Sequence, residues 1–193
     1  MNICVYGASS NTIDKKFIED GETLGKLLAE RGHTLVFGAG AGGLMGATAR
    51  GVFEKGGKMV GVAPRFFSAD GILFPHCDEL LRTDTMRERK QLMEDKSDAF
   101  IMAPGGIGTF EEFFEILTLK QLGRHQKPIV VLNTNGYYNP LLELLNSAVD
   151  GNFMTDKNLL LFGIFDSPLE AIEYVETTED AVLDVTHYKD VEN

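Results

Sequence analysis

The sequence predicts an α/β fold, an open parallel sheet with helices on both faces. Two observations predict it. Short apolar runs of strand length alternate with longer segments whose apolar residues return at helical spacing, and such alternation pairs strands in parallel through right-handed crossovers. Three of those runs also lead into turns rich in glycine or serine: after Tyr6, after Phe37 and after Met102. Ligands of such Rossmann-like open sheets bind beyond the carboxyl ends of the strands, so the three turns converge on one edge.

Taken in order, Asn2 to Tyr6 reads as a buried strand that ends at Gly7-Ala8-Ser9-Ser10. Ile13 to Glu30 carries Phe17, Leu24, Leu27 and Leu28 at helical spacing, and Arg31-Gly32 stops it. Thr34 to Phe37 is the second strand; the glycine-rich stretch Gly38 to Gly46 opens a helix that runs to about Lys55. Lys58 to Ala63 is a third strand, and Pro64 to His76, with its glycine, prolines and aromatics, reads as a loop or lid. Leu80 to Thr83 is a short strand and Asp84 to Lys96 a charged helix. The strand ending at Ala103 follows, then a glycine turn and a helix through Leu119. Pro128 to Leu132 is a strand, Asn139 to Val149 a helix, and Asp156 to Leu161 a short helix. A strand at Phe162 to Phe165 and a helix over Ser167 to Glu176 close the domain, expected as a single unit over 1–176. Acids dominate 177–193, which reads as a partly ordered tail.

The bulk numbers narrow the function. A chain of 193 residues with 44% hydrophobic and 24% charged residues is an ordinary globular protein. Its net charge of -11 argues against nucleic acid as a partner, because nucleic-acid binding needs a basic footprint. A mononucleotide needs only a local positive site. The two cysteines, Cys4 and Cys77, show neither ligand spacing nor a disulfide framework. No metal site, membrane span or leader is expected, and a reducing cytoplasm is the default.

Pro104-Gly105-Gly106-Ile107-Gly108-Thr109-Phe110-Glu111-Glu112 carries the most chemistry. Its glycines lie between a strand and a helix, where backbone amides without Cβ atoms nearby can approach a ligand closely. The free amides and dipole of a helix start favour an anion, so the stretch reads as a phosphate cradle with two carboxylates behind it. The plainer alternative is a capping box, with Glu112 folded back onto the Thr109 amide. That accounts for Thr109 and Glu112 but not for Pro104 and three glycines.

Other motifs remain open at this point. Gly38, Gly40 and Gly43 match the dinucleotide pattern, which would suggest an NAD(P) site with Arg65 on a 2′-phosphate. However, the motif lies in the second strand–helix unit, and Lys58 stands where a ribose-binding acid belongs. Met86, Lys90 and Met93 share one helix face with Arg89 beside them, in the densest basic patch of an acidic chain. That face is either a solvated helix with two buried methionines or a soft, forked grip on base and phosphate. His33, His76, His125 and His187 are scattered. Ser9 and Ser10 lie outside any nucleophile elbow.

Together, Pro104-Gly105-Gly106-x-Gly108-Thr109-x-x-Glu112 and Met86-x-x-Arg89-Lys90 resemble the LONELY GUY (LOG) family. These are cytokinin riboside 5′-monophosphate phosphoribohydrolases, long labelled lysine decarboxylases. Gly42-Gly43-Leu44-Met45-Gly46 and the passage from Thr118 to Pro128 are similar to further family segments. The resemblance implies hydrolysis of the bond between an adenine N9 and the C1′ of ribose 5-phosphate, without a cofactor. It makes Arg89 and Glu112 the catalytic pair. Substrate contacts are implied for Ser9, Gly43, Met86, Lys90, Gly105, Gly106, Ile107, Gly108, Thr109, Phe110, Glu111 and Thr118. It also implies a homodimer and a nucleoside monophosphate as the small-molecule partner. Phe66, where plant-type members tend to carry an acid, and Ile107, often a tyrosine, bear on substrate preference, and plain AMP is a candidate. The alternative in another class is a nucleotide-binding or carrier module of the same fold without turnover.

Overall fold

A computed structural model of the chain describes residues 1–67 and 71–178. The expected tail lies outside them, apart from its first two residues. Seven strands form one sheet: β1 (Asn2–Tyr6), β2 (Thr34–Phe37), β3 (Lys58–Pro64), β4 (Glu79–Thr83), β5 (Ala99–Met102), β6 (Ile129–Leu132) and β7 (Gly163–Phe165). Their order is β4-β3-β2-β1-β5-β6-β7, with every neighbouring pair parallel. The helices are α1 (Lys15–Glu30), α2 (Gly43–Glu54), α3 (Met86–Lys96), α4 (Ile107–Gln121), α5 (Asn139–Asp150) and α6 (Pro168–Thr177). Strand order reverses between β1 and β5, so a crevice opens beyond their carboxyl ends.

The pleat explains why the strands read as continuous apolar runs. Ile3 and Val5 of β1 face one side, where they join Leu24, Leu28, Leu44, Val52 and Ile172 of α1, α2 and α6. Cys4 and Tyr6 face the other, where they join Met93, Phe113, Ile116 and Leu145 of α3, α4 and α5. With helices on both faces, alternation of polar and apolar residues has no place in the central strands.

Helix starts differ from the sequence reading where a side chain caps them. The first helix begins at Lys15, not Ile13, because the Asp14 carboxylate accepts the Lys16 N–H at 2.8 Å. The third begins at Met86 because Thr85 and Glu88 form a reciprocal capping box. A capping box at Thr109 and Glu112, however, is absent. α4 begins earlier, at Ile107 with Gly106 as N-cap, so Thr109 sits one turn in and Glu112 is engaged elsewhere. The loop after β3 is partly tied down: the Ala41 N–H donates to the Ile72 carbonyl at 2.9 Å and the Phe74 N–H to that of Ala39 at 2.8 Å. A short 3-10 turn at Thr134–Gly136, with Asn135 at φ 54°, was not foreseen.

Candidate active site

Each carbonyl along the turn after β5 is held by a named donor. The Tyr138 hydroxyl donates to the Ala103 carbonyl at 2.8 Å, the Ala8 N–H to Pro104 at 3.0 Å and the Tyr137 hydroxyl to Gly105 at 2.7 Å. Carbonyl and following N–H point opposite ways in a trans peptide, so the Gly106 amide faces away from Tyr137. Among the described residues no protein acceptor takes the N–H of Ile107, Gly108 or Thr109, the first three positions of α4. Added Cβ atoms at Gly106 and Gly108 would meet nothing within 4 Å, so no packing demand explains those glycines. Gly105 is different, since its Cβ would lie 2.2 Å from the Thr109 hydroxyl oxygen. The result is a set of open amides at the positive end of a 15-residue helix.

The glycine turn after β2 lines the same cavity, but several of its amides are spent on protein acceptors. Its Gly43 amide donates to the Asn11 side-chain oxygen at 2.8 Å, and the Met45 amide to the Ala8 carbonyl at 3.0 Å. Gly38 serves Arg89, whose Nη2 would lie 2.0 Å from a Cβ there. Arg65 pairs with Asp84 at 3.0 Å on the exposed surface. The dinucleotide spacing therefore reflects close packing of loop and guanidinium, and the amides of Ala41, Gly43 and Met45 are already taken by protein acceptors.

Arg89 and Glu112 meet at the back of the crevice. The guanidinium, only 5% exposed, donates from Nε to the Val62 carbonyl at 3.1 Å and from Nη1 to Glu112 Oε1 at 2.7 Å. The Glu112 side chain is 12% exposed. Burial pushes its carboxyl above the ordinary glutamate range, and Arg89 offsets that only in part. Outside the crevice, Lys90, the residue after Arg89, bridges Glu111 and Glu115, which flank Glu112 in sequence. Those pairs tie α3 to α4 and fix the spacing of Arg89 and Glu112.

These groups share a cavity of about 690 Å³. Of the sequence-nominated residues, Ser9, Met86, Arg89, Gly106, Ile107, Gly108, Thr109 and Glu112 line it. Gly43 is turned toward Asn11, and Lys90 and Glu111 face each other outside. Gly105 and Phe110 stand behind the turn, Phe110 edge-on to Tyr138. Thr118 lies three turns down α4, in a separate, smaller pocket with Phe114, Leu117 and Met154. Sequence reasoning missed Asn11 and the apolar wall of Met45, Ile72 and Leu73. It also missed the Tyr137–Tyr138 buttress, for which the adjacent tyrosines after β6 were the available signal. Among the described residues no three His, Cys, Asp or Glu side chains group as a metal ion would require.

Fold and site thus define an α/β protein with a ligand-sized crevice at its topological switch point. A family model described as "Possible lysine decarboxylase" matches residues 45–175. The cytokinin riboside 5′-monophosphate phosphoribohydrolase of Mycobacterium tuberculosis is 39% identical over 88% of this chain and 90% of its own. A probable enzyme of the same name from Oryza sativa is 37% identical over 90% of this chain and 71% of its own. The chain belongs to this family, the LONELY GUY family. Among solved structures, the molybdenum cofactor binding protein of Rippkaea orientalis superposes with a TM-score of 0.70 at 22% identity, covering 91% of this chain and 95% of its own. The molybdenum cofactor carrier protein of Chlamydomonas reinhardtii gives 0.69 at 23%, with the same coverage. At that identity the likeness concerns the fold.

Proposed function

We propose that the protein hydrolyses the N-glycosidic bond of adenosine 5′-monophosphate or an N6-substituted form of it, giving free base and ribose 5-phosphate. The observation that carries this is the placement of a buried Arg89–Glu112 pair and the open α4 amides on one cavity. The amides of Ile107, Gly108 and Thr109 take the phosphate, which sets the ribose over the glutamate. As the C1′–N9 bond breaks, its electron pair leaves with the base and positive charge grows on the sugar. Glu112 stabilises that charge and takes one proton from the water whose hydroxyl bonds to C1′; the departing base takes up one proton from solvent at nitrogen and Glu112 returns its own to solvent, so one water is consumed. Arg89 holds the carboxylate in place. Met45, Met86, Ile72 and Leu73 give the base an apolar wall. No lysine lines the cavity among the described residues, so the decarboxylase description finds no amine there for a Schiff base.

Incubation with AMP and with isopentenyladenosine monophosphate, followed by chromatography, is expected to release free base. Tight binding with no base formed would favour the carrier alternative. The pH profile of kcat adds a second check. Catalysis needs Glu112 ionised, and its folded pKa is raised, so kcat falls with falling pH through a midpoint above the ordinary value of 4.5. A profile flat down to that value would separate Glu112 from the chemistry.

We further infer a homodimer. Phe153, Leu160 and Leu144 are exposed on and after α5, close to the pocket that holds Thr118, and an apolar surface of that kind suits a partner copy. Sedimentation equilibrium is expected to return twice the chain mass at micromolar concentration; a monomer there would remove the inference.

A further inference from the structure

We infer that Asn11 is a phosphate-binding residue that closes the anion site from the side opposite α4. This rests on the nucleotide reading for the identity of the ligand. The loop after β1 is pinned at Ala8: its N–H donates to the Pro104 carbonyl, beside the cradle, and its carbonyl accepts from Met45 at the start of α2. Asn11 lines the same cavity as Gly106, Gly108 and Glu112. Its side-chain oxygen accepts the Gly43 N–H at 2.8 Å, and of the two ends of a carboxamide only the oxygen accepts, which fixes the orientation of the Asn11 group.

Its NH2 group, with two donors, has no protein acceptor among the described residues. The contact with Gly43 thus does two things. It caps α2, and it holds the NH2 end of an exposed side chain beside the crevice that Asn11 lines. Arg89, the one guanidinium lining the cavity among the described residues, spends Nε on Val62 and Nη1 on Glu112, so a neutral donor beside it adds to the anion site without a carboxylate partner of its own. Asn11 adds a side-chain donor to the α4 amides. A phosphoryl group has acceptors only, which suits an NH2 group and penalises a carboxylate at the same place.

Asn11→Asp separates the two roles. Aspartate still offers an oxygen to the Gly43 amide, and a negative charge at the start of α2 favours that helix. A residue that only caps would therefore tolerate the change. The expected result is ribose 5-phosphate binding weakened more than tenfold by calorimetry, with Tm equal to or above wild type. Asn11→Ala, which removes cap and donor together, is expected to lower both affinity and Tm. Wild-type affinity in the Asp variant, a loss of Tm alone in the Ala variant, or a wild-type protein that fails to bind ribose 5-phosphate would each overturn the assignment. Because the readout needs no turnover, a wild-type protein that binds this ligand but releases no base would refute the hydrolase reading and leave Asn11 in place.

Discussion

Glu112→Gln is expected to lower kcat about 10³-fold, a loss of about 4 kcal/mol of transition-state stabilisation, while AMP affinity stays within about threefold. The substitution keeps the side-chain shape, and the glutamine oxygen can still accept from Arg89 Nη1, so the crevice keeps its walls. What disappears is the negative charge facing C1′. On the proposed placement, ground-state binding is carried mainly by the phosphate on the α4 amides and should hardly change. Transition-state binding needs that charge, because the ribose becomes cationic only as the glycosidic bond stretches. The split between kcat and affinity is the diagnostic part. Single-turnover base release and calorimetric AMP titration measure the two halves separately. A variant with wild-type turnover would sink the assignment of Glu112, and a variant with both constants lost would make it a structural residue instead.

The reason Glu112 stands out lies in long-range packing, and this marks the limit of what the chain displays locally. The alternation of strands and helices, the parallel sheet and the glycine cradle could be read from apolar runs and turn residues, since those patterns are local; the strand order and its switch point could not. Arg89 and Glu112 could be nominated through their family motifs. That they touch depends on α3 and α4 packing on the same sheet face, and on Gly38 of β2's following turn leaving room for a guanidinium. The spacing Gly38-x-Gly40-x-x-Gly43 looked like a dinucleotide signature for the same reason: glycines needed for close internal packing resemble glycines needed for a ligand. Only the three-dimensional neighbours tell them apart. Thr109 and Glu112 illustrate a second ambiguity. Their spacing fits a capping box, yet a helix starting at Ile107 and an arginine from another helix compete for the glutamate and win. Asn11 and the Tyr137–Tyr138 pair carried no local periodicity at all, and their roles appear only through contacts 32 residues or more away.

The contrast among glycines yields the second large effect. Gly108→Ala is expected to raise thermal stability and damage substrate binding together. Gly108 is the second residue of α4, and an added Cβ would meet no protein atom within 4 Å. Alanine in place of glycine within a helix favours folding by about 0.5–1 kcal/mol, which corresponds to roughly 1–4 °C in Tm for a domain of this size. The same methyl projects into the space that phosphoryl oxygens occupy when they approach the α4 amides. A KM for AMP raised at least about tenfold, or about 1.4 kcal/mol, is therefore expected. Gly105→Ala provides the contrasting case, because its Cβ collides with Thr109 and should cost stability. Differential scanning calorimetry and steady-state kinetics on the two variants settle the matter. If Gly108→Ala were more stable with an unchanged KM, the phosphate would have to sit somewhere other than the start of α4.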